Sequence, residues 1–297
     1  MTASQREVEQ MGGVELVIDP RLHLVGNQTV RRSLPVRERR AVGPFVFLDH
    51  FGPQVLRRGE GFDVGPHPHI GLATVTYFLE GGGIHRDSLG SVQPILPGEL
   101  NWMTAGRGIV HSERSPDDLR ATGGRLHGLQ LWVALPAAHE EDEPTFEHVP
   151  AGAIETVSQG GIGVRVLAGR AYGTEARVTT RSPLFLVEAR LAAGQSLALP
   201  EEHAERAVYV VEGALRVGEV SIAAERLAVA GTGPCRVEAT SATHLLLLGG
   251  AAMPEPRYIR WNFVSSSKAR LDAAERDWRE GRFPRIPTDD GELVPMP

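Results

Sequence analysis

The sequence predicts an all-β protein made of two tandem barrels, with a short helix near its C-terminus. Three observations predict it. Of 297 residues 34 are glycine and 21 proline, while aromatic residues make up only 6%, the profile of a chain with many tight turns. Segments rich in β-branched and large apolar residues recur at about ten-residue spacing between Gly/Pro clusters. Finally, Val75-Thr76-Tyr77-Phe78-Leu79-Glu80-Gly81 is echoed by Val208-Tyr209-Val210-Val211-Glu212-Gly213, and each follows a Pro/His segment, Pro66 to His69 and Pro200 to His203. That echo indicates a repeated unit. The expected domains are 1–140 and 141–297, the second ending in the helix and an extended tail.

Residues Met1 to Gly13 are polar and expected to be loose. Val14–Ile18 and Leu22–Val25 read as short strands separated by Asp19-Pro20. The basic run Arg31 to Arg40 is expected to be a solvated loop, with an anion-binding or acidic-partner surface as the sharper alternative. Phe45-Val46-Phe47-Leu48 is an apolar strand that should end in a turn at Asp49-His50-Phe51-Gly52-Pro53. Leu72 to Leu79 is rich in strand formers, Glu80 to Gly83 turns the chain, and Ile84 to Gly90 reads as a strand running into another turn. Leu100 to Met103 and Leu129 to Leu135 are further strands. His139 to Pro150 is acidic and expected to be a solvated linker. The second half repeats the plan with strands at Val164 to Leu167, Leu184 to Leu191, Ala207 to Val211, Leu227 to Val229 and His244 to Leu248. Ser267 is placed to cap a helix from Lys268 to Glu280, with Gly281 past its end. Leu271, Ala274 and Trp278 make an apolar stripe on it. Phe283 to Pro297, with four prolines, should be extended and draped over a barrel.

Composition narrows the function classes. A net charge of −6 argues against non-specific nucleic-acid binding, and no helix-turn-helix, zinc finger or basic helix accompanies the one basic run. A single cysteine, Cys235, excludes an internal disulfide and points to a reducing compartment, the cytoplasm. No apolar run approaches the roughly 18 residues of a membrane span, and no leader pattern opens the chain.

The chemistry concentrates between Gly65 and Glu113. His67 and His69 stand at i and i+2, as do His111 and Glu113. Side chains alternate along a strand, so each pair projects from one face. If the two strands are neighbours in a barrel, three imidazoles and one carboxylate converge. That is a first shell for one divalent transition metal, with two positions of an octahedral ion left open. Mostly-histidine sites with one carboxylate serve non-heme iron(II) oxygenases, so iron(II) is expected first and Ni, Mn, Cu, Co or Zn after it. A structural zinc site would be closed and usually contains cysteine. In the second half His203 and Glu205 have no downstream partner pair, so no second metal is expected there.

These motifs resemble the pirins, a bicupin family. The resemblance runs from about Asp49 almost to the C-terminus. It rests on His67-Pro68-His69, Val75-Thr76-Tyr77, Ala105 through Glu113, Gly128 through Val133, Asn262 through Ser267, and Asp277-Trp278 with Gly281 and Phe283. It implies two cupin (double-stranded β-helix) barrels, metal only in the first, and His67, His69, His111 and Glu113 as ligands. One departure stands out: where many pirins have a Glu four residues after the second histidine, this chain has Ala73, which puts any role of that carboxylate beside the metal in question. Several pirins resemble quercetin 2,3-dioxygenases, which open the flavonol ring with O2 and release CO. By that likeness a flavonol-like substrate is expected, with Glu113 as the catalytic base and Gln130 and Trp102 as pocket candidates. The alternative from another class is an iron-dependent redox-sensing regulator that binds a transcriptional or metabolic protein partner without turnover.

Overall fold

The computed structural model describes residues 13–297 apart from Asn27 and Asp290; the loose segment expected up to Gly13 lies otherwise outside them. Strands β1 (Val14–Ile18), β2 (Arg21–Val25), β3 (Gln28–Leu34), β4 (Phe45–Leu56), β5 (Val64–His69), β6 (Leu72–Glu80), β7 (Gly83–Asp87), β8 (Val92–Ile95), β9 (Leu100–Thr104) and β10 (Ile109–Arg114) lead to helix α1 (Asp117–Thr122). β11 (Gly124–Ala134) and β12 (Thr145–Val149) follow. The second half contributes β13 (Glu155–Gln159), β14 (Ile162–Ala171), β15 (Thr174–Glu175), β16 (Leu184–Leu191), β17 (Ser196–Ala198) and β18 (Glu205–Glu212). It continues with β19 (Ala214–Val217), β20 (Val220–Ala223), β21 (Leu227–Ala230), β22 (Arg236–Ala239) and β23 (Thr243–Gly250), and the chain closes with β24 (Tyr258–Arg260), β25 (Phe263–Ser265) and helix α2 (Lys268–Arg279). The all-β plan with a short C-terminal helix is therefore observed, and no helix among the described residues is long and apolar enough to cross a membrane.

The chain folds into two compact units that interleave along the sequence. One comprises Leu22–Arg32, Val46–Ala153 and Met253–Pro297; the other comprises Ser33–Phe45 and Ile154–Ala252 with the chain up to Arg21. A single boundary after residue 140 does not describe this grouping. The reason is strand pairing at one end, where β1 is hydrogen-bonded to β21, and burial at the other, where the tail packs with the first barrel.

That first barrel is walled by two antiparallel sheets, in the orders β12-β9-β6-β11-β4-β3-β2 and β5-β10-β7-β8. Its strands form for local reasons. β6 is a run of Val, Thr, Tyr and Phe with its first seven residues buried, and β-branched and aromatic side chains favour a pleated, covered surface. Between β5 and β6, Gly71 adopts φ +66° with its α-carbon against the Val264 carbonyl, where a Cβ would come within 2.0 Å; only glycine turns there.

Three sequence expectations need correction. β4 runs unbroken through the turn expected at Asp49 to Pro53, because its partners continue on both sides and Gly52, at φ +72°, absorbs the bend without ending the strand. The basic run is not a solvated loop throughout. Arg31 to Leu34 lie in β3, Arg32 forks onto Asp49 at 2.7 and 2.8 Å and covers the Phe47 ring, and Arg31 donates to the Gly52 carbonyl. The acidic linker is also structured: β12 pairs with β9, and Glu140 is buried, accepting from Ser265 Oγ, Ser266 N and Ser266 Oγ and pairing with Arg257.

The second barrel has its own sheets, β1-β21-β18-β23-β16-β14-β13 with β15 on β14, and β17-β22-β19-β20. They enclose an apolar core that includes Val164, Phe185, Val208, Leu215 and Leu245. Here His203 stacks on Phe185, and Glu205 accepts from Gly43 N at 2.6 Å.

Helix α2 matches its prediction closely. The Ser267 side chain accepts from Arg270 N, and Leu271, Ala274 and Trp278 are its buried residues. They pack with Ile70, Val110, Phe263 and Ile286, each large side chain contributing about 1.5–3 kcal/mol through burial. Beyond the helix the tail straps the barrel. Asp289 accepts a fork from Arg114 at 2.8 and 2.9 Å and a bond from Ser112 Oγ at 2.7 Å, while Val294 N donates to the Pro66 carbonyl at 2.9 Å.

The Arg114 bond, against an opposing effect of burial and with help from Ser112, holds the Asp289 carboxyl down at about 2. A carboxyl depressed in the folded state stabilises above its unfolded value, and that contribution is lost as pH falls through the folded one. Asp289→Asn should therefore cost about 1 kcal/mol at neutral pH, discounted for the solvent around Arg114. The gap in thermal midpoint from wild type should close between about pH 4 and pH 2. A gap that persists unchanged at the acid end would show that this pairing is not its source.

Candidate metal centre

β5 and β10 are direct neighbours, with His111 opposite His67 and Ile109 opposite His69. Alternation along each strand then puts His67, His69 and His111 on one face. The three rings meet, their centroids 4.4–5.0 Å apart, and their ligand atoms all lie within 4.8 Å of one another, in a buried group that could hold a metal ion. The mutual group does not include Glu113. A bulge in the β5–β10 pairing falls between His111 and Glu113, and the Glu113 carboxylate lies 3.1 Å from Thr76 Oγ1, which is itself 2.9 Å from the Gln130 amide.

Hydrogen bonding fixes which nitrogen each ring presents. His67 Nδ1 donates to the Gly65 carbonyl at 2.8 Å, and His69 Nδ1 to the Asn262 carbonyl at 3.0 Å. A neutral imidazole carries one N–H, so the lone pair is left on Nε2 in both. His111 Nε2 is buried with no hydrogen-bond partner, an orphaned acceptor of the kind that calls for an explanation. Three convergent Nε2 lone pairs supply one: the donor set fits a transition-metal ion.

Electrostatics agree. Burial, with the neighbouring charges of the other rings, pushes His69 and His111 well below their ordinary value, and burial takes His67 down to about 4. Those shifts favour the neutral rings that a metal site requires. Burial raises Glu113, against the opposing effects of His85 and Thr76, and so makes it a better base near neutrality.

The register of β6, β9 and β11 sorts the remaining candidates. Gln130 pairs with Thr76 and Trp132 with Thr74, while Val75 pairs with Trp102. Thr76 reaches Glu113, so Thr74, Thr76, Gln130 and Trp132 face the site and the alternate residues face away. Gln130 is therefore adjacent to the centre, as expected. Trp102 is not: it is buried on the opposite face, and its Nε1 donates to Thr104. Ala73 lies on that same opposite face, so a glutamate there would not point at the histidines.

Three residues at the centre were not singled out in the sequence. Trp132 points its edge at His69, centroids 5.3 Å apart, and stacks on Phe47 at 4.0 Å. His85 and Asp87 stand on β7, where Asp87 is opposite His111 and His85 opposite Glu113. The signal that finds His67 and His69, two metal-capable side chains at i and i+2, is present at His85 and Asp87 as well.

Fold and cluster define the class: a bicupin with a candidate histidine metal centre in one barrel. Residues 27–133 match the family model Pirin, and 186–284 match the Pirin C-terminal cupin domain. A pirin-like protein of Caulobacter vibrioides is 46% identical over 96% of this chain and 99% of its own length. Human pirin is 32% identical over 85% of this chain and 87% of its own. A crystal structure of quercetin 2,3-dioxygenase from Acinetobacter baumannii superposes with a TM-score of 0.89 at 34% identity, covering 98% of this chain and 96% of that one. The chain belongs to the pirin family.

Proposed function

We propose that this pirin is a metal-dependent flavonol (quercetin) 2,3-dioxygenase of the cytoplasm, where its lone, buried cysteine stays free. The observation that carries the reading is the trio of neutral imidazoles, each with Nε2 available, beside a partly buried carboxyl. Likeness to the Acinetobacter protein, which bears that name, supports the substrate class.

His67, His69 and His111 would hold one divalent ion through Nε2, with Glu113 as a fourth, oxygen donor; iron(II) is the first expectation, ahead of Ni, Mn, Cu, Co or Zn, because mostly-histidine sites with one carboxylate serve non-heme iron(II) oxygenases. When bound, the ion supplies a Lewis acid and template for the flavonol 3-oxygen and for dioxygen. Glu113, its basicity raised by burial, accepts the 3-hydroxyl proton. Thr76 holds that carboxylate in place, with the Gln130 amide turned to support the hydroxyl. Trp132 backed by Phe47 makes an apolar wall suited to a planar aromatic ring. Both atoms of O2 enter the ring-opened product, and carbon 3 leaves with its oxygen as CO, so the equation needs no external reductant.

The test is flavonol consumption in air by iron-reconstituted protein with CO detected, beside Glu113→Gln. Wild type should turn over, and the variant should lose roughly 10²- to 10⁴-fold in rate. No turnover with iron, nickel, manganese or copper would overturn the reading. It would return the search to a protein partner whose binding follows the oxidation state of the iron.

A further inference from the structure

Beyond the three convergent rings, the barrel contains a second, connected pair of side chains with no part in the proposed chemistry. His85 and Asp87 project from β7 on the face that carries His111. His85 Nε2 lies 2.9 Å from Asp87 Oδ2, and its Nδ1 lies 3.4 Å from His111 Nδ1. Asp87 is fully buried, and its other oxygen, Oδ1, accepts from the backbone N–H groups of Leu89 and Ser91 at 2.9 and 3.0 Å. Phe146 stacks on the His85 ring, centroids 4.2 Å apart and planes 9° from parallel, which fixes the ring's orientation.

Those contacts form a chain with one consistent direction. Both Leu89 and Ser91 donate to Asp87, so Asp87 is an acceptor throughout, and His85 must donate from Nε2. A neutral His85 then has its lone pair on Nδ1. That lone pair can only accept, so the hydrogen between the two rings belongs to His111 Nδ1. The lone pair of His111 is thereby placed on Nε2, the nitrogen that is buried without a partner.

We propose that Asp87 and His85 are positioning residues that lock His111 in its Nδ1–H tautomer and so aim the Nε2 lone pair into the metal centre. His67 and His69 obtain the same result from backbone carbonyls; for His111 a two-residue side-chain relay takes the carbonyl's place. Outer partners of this kind typically change metal affinity by roughly 10- to 100-fold. The inference rests on the three histidines as ligands and not on the identity of the substrate.

Asp87→Asn reverses the relay at constant shape. Its single oxygen is claimed by Leu89 N and Ser91 N, so its NH2 faces His85 Nε2. His85 must then carry its proton on Nδ1, His111 Nδ1 must accept, and the His111 proton moves to Nε2, where it blocks the ion. Apo protein labelled with 15N at histidine, read by long-range 1H–15N correlation near neutral pH, distinguishes the tautomers directly. The His111 ring should be Nδ1–H in wild type and shift towards Nε2–H in Asp87→Asn. Nickel affinity by chelator competition should fall about 10- to 100-fold in that variant and similarly in His85→Phe, which keeps the stack on Phe146 but has no acceptor.

An Nε2–H tautomer in the wild-type apo protein would overturn the proposal, and that measurement needs no variant to fold. Weaker nickel binding with the His111 tautomer unmoved would also overturn it, leaving Asp87 a merely structural part. Absence of flavonol turnover would bear on the proposed reaction alone, because neither readout here involves it.

Discussion

His111→Ala, reconstituted in parallel with wild type, should lose stoichiometric metal and with it all flavonol turnover. The His111 ring lies 4.4 Å from the His67 ring and 5.0 Å from that of His69, one of three that could hold the ion together. Without it the group loses one of its three nitrogen donors, and each donor lost weakens a site of this kind. Affinity should fall by well over the roughly 100-fold that loss of an outer partner costs. The apo variant should be less stable than apo wild type, since alanine leaves a cavity where a buried ring packed and takes from His85 Nδ1 its partner. Added nickel or iron should raise the thermal midpoint of wild type by mass action and leave that of the variant unmoved. A variant that keeps its metal at wild-type affinity would remove His111 from the centre.

Glu140→Ala should give the largest loss of stability of any single change considered for this chain. The Arg257 side chain that Glu140 faces is only 3% exposed, and Glu140 also receives three bonds from Ser265 and Ser266. Removing the carboxylate leaves a buried guanidinium short of its counter-charge and two serines without their acceptor. Truncating one member of a buried ion pair costs about 3–5 kcal/mol. Arg257 keeps bonds to Leu135 O and Glu255, which favours about 3 kcal/mol and a midpoint lower by roughly 6–12 °C. Converting both partners, as Glu140→Gln with Arg257→Met, should recover part of that loss. A single variant within about 0.5 kcal/mol of wild type would show the pair to be dispensable.

Much of the centre was legible in the sequence because strand geometry acts locally. Two side chains at i and i+2 of a regular strand share a face, so His67 with His69 could be paired by spacing alone; His111 and Glu113 have the same spacing, but a bulge falls between them and the histidine group does not include Glu113. Helix α2 was legible for the same reason, through Ser267, the Leu271–Ala274–Trp278 stripe and Gly281. What spacing does not specify is which strands are neighbours. His85 and Asp87 obey the same rule as the histidine pairs, but their importance depends on β7 lying against β10. Trp102 and Trp132 stand on the two strands that flank β6 and face opposite sides of the sheet, and a one-residue slip of either strand would turn its tryptophan to the other face. Glu140, in a run of acidic residues, is distinguished from its neighbours only by the serines and arginine brought to it from more than a hundred residues away.

The strap formed by the end of the chain has a consequence for how the protein comes into being. The histidines are encoded early, yet the carbonyl that sets His69 belongs to Asn262, and β10 and β5 are held by Asp289 and Val294. While the ribosome is still translating the second barrel, the first barrel lacks those contacts. The three histidines precede, in the order of synthesis, residues that fix their surroundings. An ion held by the three histidines would therefore meet their full arrangement only after Asn262, Asp289 and Val294 have been made.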